Sequence, residues 1–485
     1  MKELTQDIEQ TVKTLLTKVG KEKDVSNIRS NSKLADDLGI DSFGSIEVIY
    51  GLEDIFDITI SERNFNPSMT VEGLINQLQA KLRTTTQKQH DAVSVEQFKQ
   101  SLQIDKSIVE DVQFNPYYRN ISSGLGRTIT IDNKELLSLG SNDYLGIANN
   151  AAIKQEAARI LEKYGLSMCG TPIVIGQTDI NRQLEKTIAR FLKQDDAIVY
   201  PSGYQCNMGV FQLLAREDDC IIADKNVHSS LINGCMLSKA SLRFFNHNNM
   251  AELRTMLQEA KNSRMRFIVV EGLYSTDGDT AKLDTIIKLA QEFEAFLIVD
   301  DAHGVGVLGK EGRGILEKYN AYNDVDLITG SLGKALGVFG GFLAGEANII
   351  DYYRYSSSSY FYSTALPPYV AAAGIASIEF VKTHNDLREK TFAYKEKLYS
   401  ALQQMGYRLT QSETPLFAIL FSDSKATLAM TKQLFEKGIY AVPFLPPSVP
   451  KDSPRIRLLP SAYLAEQDID RVIEVFRELK SAYVG

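Results

Sequence analysis

Cysteine is scarce: the 485 residues contain four, Cys169, Cys206, Cys220 and Cys235, with no CxxC spacing. That is too few for a disulfide framework in a chain of this length, so the thiols are expected to be reduced and structural. Histidine is scarce as well, with five residues and none in an HxxxH or HExxH pattern, so no metal site is expected. Long apolar runs are missing, and the opening MKELTQDIEQTVKTLL has no uninterrupted apolar core. No membrane span and a cytoplasmic setting are therefore expected. Basic charge is in deficit: 53 Lys and Arg stand against 61 Asp and Glu, giving a formal net charge of −8 and a pI near 5.4. Nucleic acid and anionic membranes would need clustered cations, so both are set aside as partners. What is present is 44% hydrophobic and 24% charged residues, the balance of a globular protein, in a length that suggests two or three domains.

Residues 1 to about 80 show helical periodicity alone. Leu4, Ile8, Val12 and Leu15 fall on one face, and Phe43, Ile46, Ile49, Leu52 and Phe56 repeat at helical spacing. Between Asp36 and Asp57 there are seven acidic residues and no basic one, so the helix starting near Ser42 presents a negative face suited to basic partners. In LADDLGIDSFGSIEVI the pair Asp41–Ser42 stands where a side chain caps the first free amides of a helix, and taken alone it reads as a cap. After Leu82, RTTTQKQHDAVSVEQ is polar and aperiodic, as a mobile linker would be.

The module as a whole resembles an acyl carrier protein. The likeness rests on the acidic helical composition, on LGIDS at the start of a helix, and on the acidic amphipathic stretch that follows. It implies a small all-α four-helix carrier domain over 1–82 with a 4'-phosphopantetheine arm on Ser42, preferred over Ser45, and acyl groups carried as thioesters. It also implies two protein partners, a phosphopantetheinyl transferase and an acyl-loading enzyme. A tethered arm raises the local concentration of its acyl group at a nearby site without any new contact.

From about residue 106 the pattern changes. DAIVYPSG, DCIIAD, RFIVVEG, AFLIVDDAHG, DLITGS and GGFLAG are short apolar runs separated by amphipathic helices, which predicts an α/β region with a largely parallel sheet. Chemistry in such sheets gathers at the carboxyl ends of strands. Two of these ends stand out: Asp300, Asp301 and His303 after one strand, and Lys334 in the Gly/Ser-rich turn TGSLGKALG after another. The acids could cap the next helix, and Lys334 could be an ordinary loop lysine. Together they also match the needs of pyridoxal phosphate (PLP): an amine for the aldehyde, an acid for the pyridine nitrogen and a phosphate cradle.

Eight segments extend this likeness: SNDYLG (141–146), YPSGYQCN (200–207), DKNVHSS (224–230), EGLYSTDGD (271–279), VDDAHGVGVLG (299–309), TGSLGKALG (329–337), YSTALPP (362–368) and PRIRLLPSAY (454–463). On these the chain from 106 to 485 resembles the α-oxoamine synthases. This fold-type I PLP family contains 8-amino-7-oxononanoate synthase, 2-amino-3-ketobutyrate coenzyme A ligase, 5-aminolevulinate synthase and serine palmitoyltransferase. The resemblance implies a large, mostly parallel PLP-binding domain with its N-terminal segment (106–370), a smaller C-terminal α/β domain (371–485) and a flexible linker at 83–105.

By the same resemblance Lys334 binds the cofactor aldehyde, Asp300 pairs with the pyridine nitrogen, and His303 and Ser275 lie near the phenolic oxygen. His228 stacks on the ring and aids the reaction. Ser331, the amides of Gly203 and Tyr204, and Thr364 of a dimer partner hold the phosphate. Arg457, helped by Asn142, grips the amino-acid carboxylate. Many relatives carry histidine where this chain has Asn181, a departure that bears on substrate preference rather than on the PLP reaction. The implied activity is decarboxylative condensation of an α-amino acid with an acyl thioester by a homodimer. An aminotransferase and a non-catalytic carrier scaffold are the rivals; the first gives no reason for a carrier module, and the second no reason to keep Lys334 and Asp300.

Overall fold

Helices dominate the first 115 residues because their apolar positions recur every three or four residues and have one another to cover. The computed structural model describes residues 2–40, 42–56, 60, 69–84, 93–102 and 106–483. It contains α1 (Lys2–Val19), α2 (Ser42–Phe56) and α3 (Val71–Thr84), with α4 (Val95–Ser101) and α5 (Ser107–Val112) following. Ile8, Val12 and Leu16 of α1, Val48, Ile49 and Leu52 of α2, and Val71, Leu74 and Leu78 of α3 are buried in one core, with Leu15 and Phe56 at its margin. The side chains of Leu4, Phe43 and Ile46, also expected on these faces, lie outside the described residues, as do Asp41 and the side chain of Ser42. Within the segment read as linker, α4 is helical because Ser94 and Gln97 form a reciprocal capping box, a signal the polar composition hid.

By packing, the chain forms two compact units. One comprises Met1–Asn115, Phe421–Leu428 and Phe444–Pro454; the other comprises Pro116–Leu420, Ala429–Pro443 and Arg455–Gly485. The larger unit opens with a hairpin, β1 (Thr128–Ile131) and β2 (Lys134–Ser138), whose second strand also pairs in parallel with Ile439–Tyr440. After α6 (Ala151–Tyr164) and α7 (Asp179–Leu192) comes the central sheet. Its strands are β3 (Asp196–Tyr200), β4 (Cys220–Asp224), β5 (Ser241–Phe245), β6 (Arg266–Glu271), β7 (Phe296–Asp300), β8 (Leu327–Ser331) and β9 (Gly341–Gly345). Helix α8 (Gly203–Leu214) follows β3, and α9 (Ser229–Leu237) follows β4.

The strand order is β3-β9-β8-β7-β6-β4-β5, and every neighbouring pair is parallel except those made by β9. Because β9 opposes both of its neighbours, β3 still points the same way as β8. Six strands therefore end at one edge. All residues of β3, β4 and β9 are buried, as expected of strands covered on both faces. All six apolar runs picked out in the sequence are strands here. The edge strand β5, SLRFF, escaped notice because it is amphipathic and half-buried. Arg457 comes from a second, smaller sheet, where Arg455–Leu458 runs antiparallel to Phe417–Leu420. All four cysteines are unpaired, and Cys206, Cys220 and Cys235 are buried.

Helix α7 is tied to the sheet by charge. Buried Glu185 accepts from Arg182 (2.9 Å) and Arg354 (3.0 Å), and both arginines also reach Asp196 at the start of β3. Removing the carboxylate would leave the two guanidiniums with Asp196 and, for Arg354, the exposed Asp351 at 3.7 Å, and breaking one partner of a buried network costs about 3–5 kcal/mol. Glu185→Ala is expected to lower unfolding free energy by that amount in urea titrations; a loss of under ~1 kcal/mol would show that the remaining acids satisfy both arginines.

Candidate active site at the carboxyl edge of the sheet

The register of the parallel strands sets the site. Glu271 at the end of β6 pairs with Asp300 at the end of β7, and Asp300 pairs in turn with Thr329 of β8, so the two buried carboxylates stand side by side on one face. Asp300 accepts from Asn207 Nδ2 (2.7 Å) and from the amide of Ala302 (2.9 Å). Asn207, buried on α8, also donates to Ser230 Oγ (2.9 Å) on α9, so Asp300 is aimed by two helices. Glu271 accepts the backbone amide of His228. Burial and the nearby Asp300 charge push the Glu271 carboxyl well above the usual range, with Lys334 opposing.

Lys334 lies in the turn between β8 and β9 and is half-buried. Burial lowers its ammonium, Asp300 and Glu271 pull the other way, and Arg457 adds to the lowering. The net shift is downward, which favours the neutral amine that a nucleophile or base requires. His303 is buried with Nδ1 at 2.9 Å from Tyr144 Oη, and burial together with the Lys334 and Arg457 charges holds it well below the usual imidazole range. His303 is thus neutral here. His228 caps α9, with Ser230 N donating to its Nδ1 (3.2 Å), and its exposed ring meets Tyr204 edge-on.

Arg457 is buried and donates to Asn142 Oδ1 (2.9 Å) and to the carbonyl of Ser275 (3.2 Å). Arg457 and Asn142, both expected at the amino-acid carboxylate, thus touch one another, and the Ser275 carbonyl lies at the same guanidinium. Gly203 and Tyr204 open α8, where first-turn amides have no acceptor within the helix. A Cβ on Gly203 would come 3.3 Å from the Gly330 carbonyl and 3.5 Å from Ser331 Cβ. Ser331 thus lies directly beside the helix start, and its Oγ accepts the amide of Gly333 (3.1 Å). Thr364 is exposed, in a loop whose neighbour Leu366 is held through its carbonyl by Asn181 Nδ2 (2.8 Å). Asn181 is buried, so the departure from the relatives' histidine has a structural place: it anchors the YSTALPP loop.

Three side chains with a part in this geometry went unassigned in the sequence: Asn207, Glu271 and Tyr144. Each sits inside a quoted motif, but only tertiary contact shows what it orients. Asp301, adjacent to Asp300, has another task. Its carboxylate accepts the amide of Ile315 (2.6 Å) at the start of the helix Ile315–Tyr319, and it leaves no room for a Cβ at Gly304 or Gly314.

These features fit PLP. The first turn of α8 with Ser331 offers an anion cradle, the buried Asp300 is held at a strand end by Asn207 and the Ala302 amide, and Lys334 supplies a depressed amine. Asn207 Oδ1 is buried with no hydrogen-bond partner, a further sign of a site shaped around more than protein atoms. Removing the Tyr144 hydroxyl would leave the His303 nitrogen unpaired in a buried place, at a cost of about 1–3 kcal/mol. Tyr144→Phe is expected to show that loss in chemical denaturation, and unchanged stability would mean that His303 finds another partner.

Residues 134–476 match the aminotransferase class I and II family. The 8-amino-7-oxononanoate synthase of Thermoanaerobacter pseudethanolicus is 34% identical over 378 residues, which span 77% of this chain and 96% of that protein. The serine palmitoyltransferase of Bacteriovorax stolpii is 32% identical over 378 residues, 78% of this chain and 90% of that one. Among solved structures, serine palmitoyltransferase from S. paucimobilis with a bound PLP–myriocin aldimine superposes with a TM-score of 0.77 at 25% identity, covering 80% of this chain and 99% of that one. With Lys334, Asp300 and the α8 cradle gathered at one sheet edge, the chain belongs to the α-oxoamine synthases of the aminotransferase class I and II family and is a PLP-dependent acyltransferase.

Proposed function

We propose that this enzyme condenses an α-amino acid with an acyl group delivered on a phosphopantetheine arm at Ser42 of its own N-terminal module, with loss of the amino-acid carboxylate as carbon dioxide. The observation that carries the reading is the pairing, in one chain, of LGIDS at the start of a packed helix with the Lys334/Asp300 site. In this reading residues 1–82 are the carrier, 83–105 the tether, 106–370 the PLP-binding part and 371–485 the smaller domain. A phosphopantetheinyl transferase and an acyl-loading enzyme act on Ser42, and a homodimer brings Thr364 of one subunit to the phosphate end of the other's site.

Bound PLP supplies an electron sink for negative charge at the amino-acid α carbon. The protein does the rest. Arg457 and Asn142 hold the substrate carboxylate, and Asp300, aimed by Asn207, keeps a proton on the pyridine nitrogen. His303 and Ser275 serve the phenolic oxygen. Lys334 Nζ, with its lowered affinity for protons, takes the proton from the α carbon. His228, at the exposed face of the site, donates to the thioester carbonyl oxygen as charge develops there. A bond forms between the α carbon and the acyl carbon, the C–S bond breaks to return the free thiol, and the carboxylate leaves as carbon dioxide, a proton taking its place on the α carbon.

Borohydride is expected to fix PLP on Lys334 of the wild-type chain and on no lysine of Lys334→Ala, which should fold because the position lies in a turn; peptide masses identify the modified residue, and PLP fixed elsewhere moves the assignment. The full reading predicts that acyl-loaded protein given labelled amino acids releases carbon dioxide in step with loss of acyl mass from Ser42. Ser42→Ala should accept no arm. A keto acid formed with the acyl arm untouched would favour an aminotransferase instead.

A further inference from the structure

One half-buried cluster plays no part in this chemistry. His247, just beyond β5, lies between two carboxylates: Nδ1 is 2.9 Å from Asp224 Oδ1, and Nε2 is 2.7 Å from Asp279 Oδ2. An ionised carboxylate only accepts hydrogen bonds, so two carboxylates on one imidazole require both ring nitrogens to donate. A neutral ring would aim a lone pair at one of them.

We infer that His247 is a positioning residue, held as an imidazolium between Asp224 and Asp279, that fixes the loop carrying His228 and the loop carrying Ser275, and through Ser275 the guanidinium of Arg457. The first arm runs through Asp224, at the end of β4. Its Oδ1 also accepts the amide of Asn226 (2.8 Å) and its Oδ2 that of Asn248 (2.9 Å), closing the turn that leads to His228. The second arm runs through Asp279, whose carbonyl accepts the amide of Tyr274 (3.0 Å). The Tyr274 ring stands edge-on to His247 with centroids 4.4 Å apart, and the next residue is Ser275, whose carbonyl receives Arg457. Asn248 joins the two arms, donating from Nδ2 to Asp279 Oδ2 (3.0 Å) and to the Thr280 carbonyl (3.1 Å).

The ionisable groups facing His247 are Asp224 from β4 and Asp279 and Tyr274 from the loop after β6. Farther out, Lys282 donates to the Asn248 carbonyl (3.0 Å), and Lys318, paired with Glu413, donates to Thr280 Oγ1 (2.9 Å). Burial alone would lower the imidazolium, but the hydrogen bonds and charges of Asp224 and Asp279 outweigh it and raise His247 from 6.5 to about 10. A value raised on folding stabilises the native state fully below 6.5, and that contribution fades as pH rises through 10.

The catalytic consequence rests on the roles proposed for Arg457 and His228, whereas the ionisation does not, and the experiment separates them. The PLP-bound full chain is labelled with 15N-histidine, and the His247 signals are assigned by their absence from His247→Gln. Both ring nitrogens are expected to stay protonated up to about pH 9, one unit below the midpoint. In Asp279→Asn, which keeps the imidazole and one carboxylate, the midpoint should fall. That variant should also show hydrogen exchange faster by about tenfold in 224–230 and 271–280 and, for whichever of glycine, L-alanine or L-serine the wild type uses, a KM raised about tenfold with kcat little changed. A His247 signal that becomes neutral below pH 7.5 overturns the inference, and so does a charged His247 whose Asp279→Asn variant leaves exchange and KM as in the wild type. A wild type that uses none of the three is assayed with the remaining proteinogenic amino acids, and failure with all of them counts against the proposed function, while the ring signals and the exchange still decide the role of His247.

Discussion

Four carboxylates buried along one edge of the sheet are the constraint on which the rest of the site depends. Asp224, Glu271, Asp300 and Asp301 end three strands or follow directly on one, and carboxyl groups taken out of water must be met by hydrogen-bond partners. The donors come from the loops. Asp224 holds His247 and the amides of Asn226 and Asn248, Glu271 holds the amide of His228, Asp300 holds Asn207, and Asp301 holds the amide of Ile315. The loops that carry the chemistry are ordered because the strand ends need them. A site built in this way is stiff where reacting groups must be aimed, and the stiffness comes from the sheet rather than from the loops.

Charge in this site is arranged by depth. At Lys334 burial lowers the ammonium, Asp300 and Glu271 oppose it and Arg457 adds to it, because charges taken out of water act on one another far more strongly than surface charges do. The result is a lysine with a weakened hold on its proton beside an acid fixed by Asn207. Asp36 and Asp37 of the N-terminal module are different: they are exposed, and charges screened by solvent in this way contribute little to folding.

Much of the fold could be read from the chain. Periodicity alone located the helical faces of Ile8, Val12, Ile49 and Leu52, all of which are buried, and continuous apolar runs located six of the seven central strands. The edge strand SLRFF escaped because exposure on one side dilutes its apolar signal. The reversal of β9 escaped because a strand buried on both faces has the same composition whichever way it runs.

In the site, local sequence determined what could be recognised from a strand and the turn after it: Asp300 and His303 beyond one apolar run, and Lys334 in a Gly/Ser turn after another. Those features depend on neighbours in the chain, and their residue types carry the chemistry openly. Only the tertiary structure decided that Asp300 is aimed by Asn207, that Glu271 grips the amide of His228, that Tyr144 holds His303, and that Asn181 anchors the loop of Thr364. The Asn207, Tyr144 and Asn181 pairs are more than 90 residues apart in the chain and the Glu271 pair more than 40, so their energies depend on how the strands are ordered in the sheet. No local pattern encodes that order, because hydrogen bonding between strands is nearly indifferent to side-chain identity, whereas the fit of side chains across the finished sheet is not.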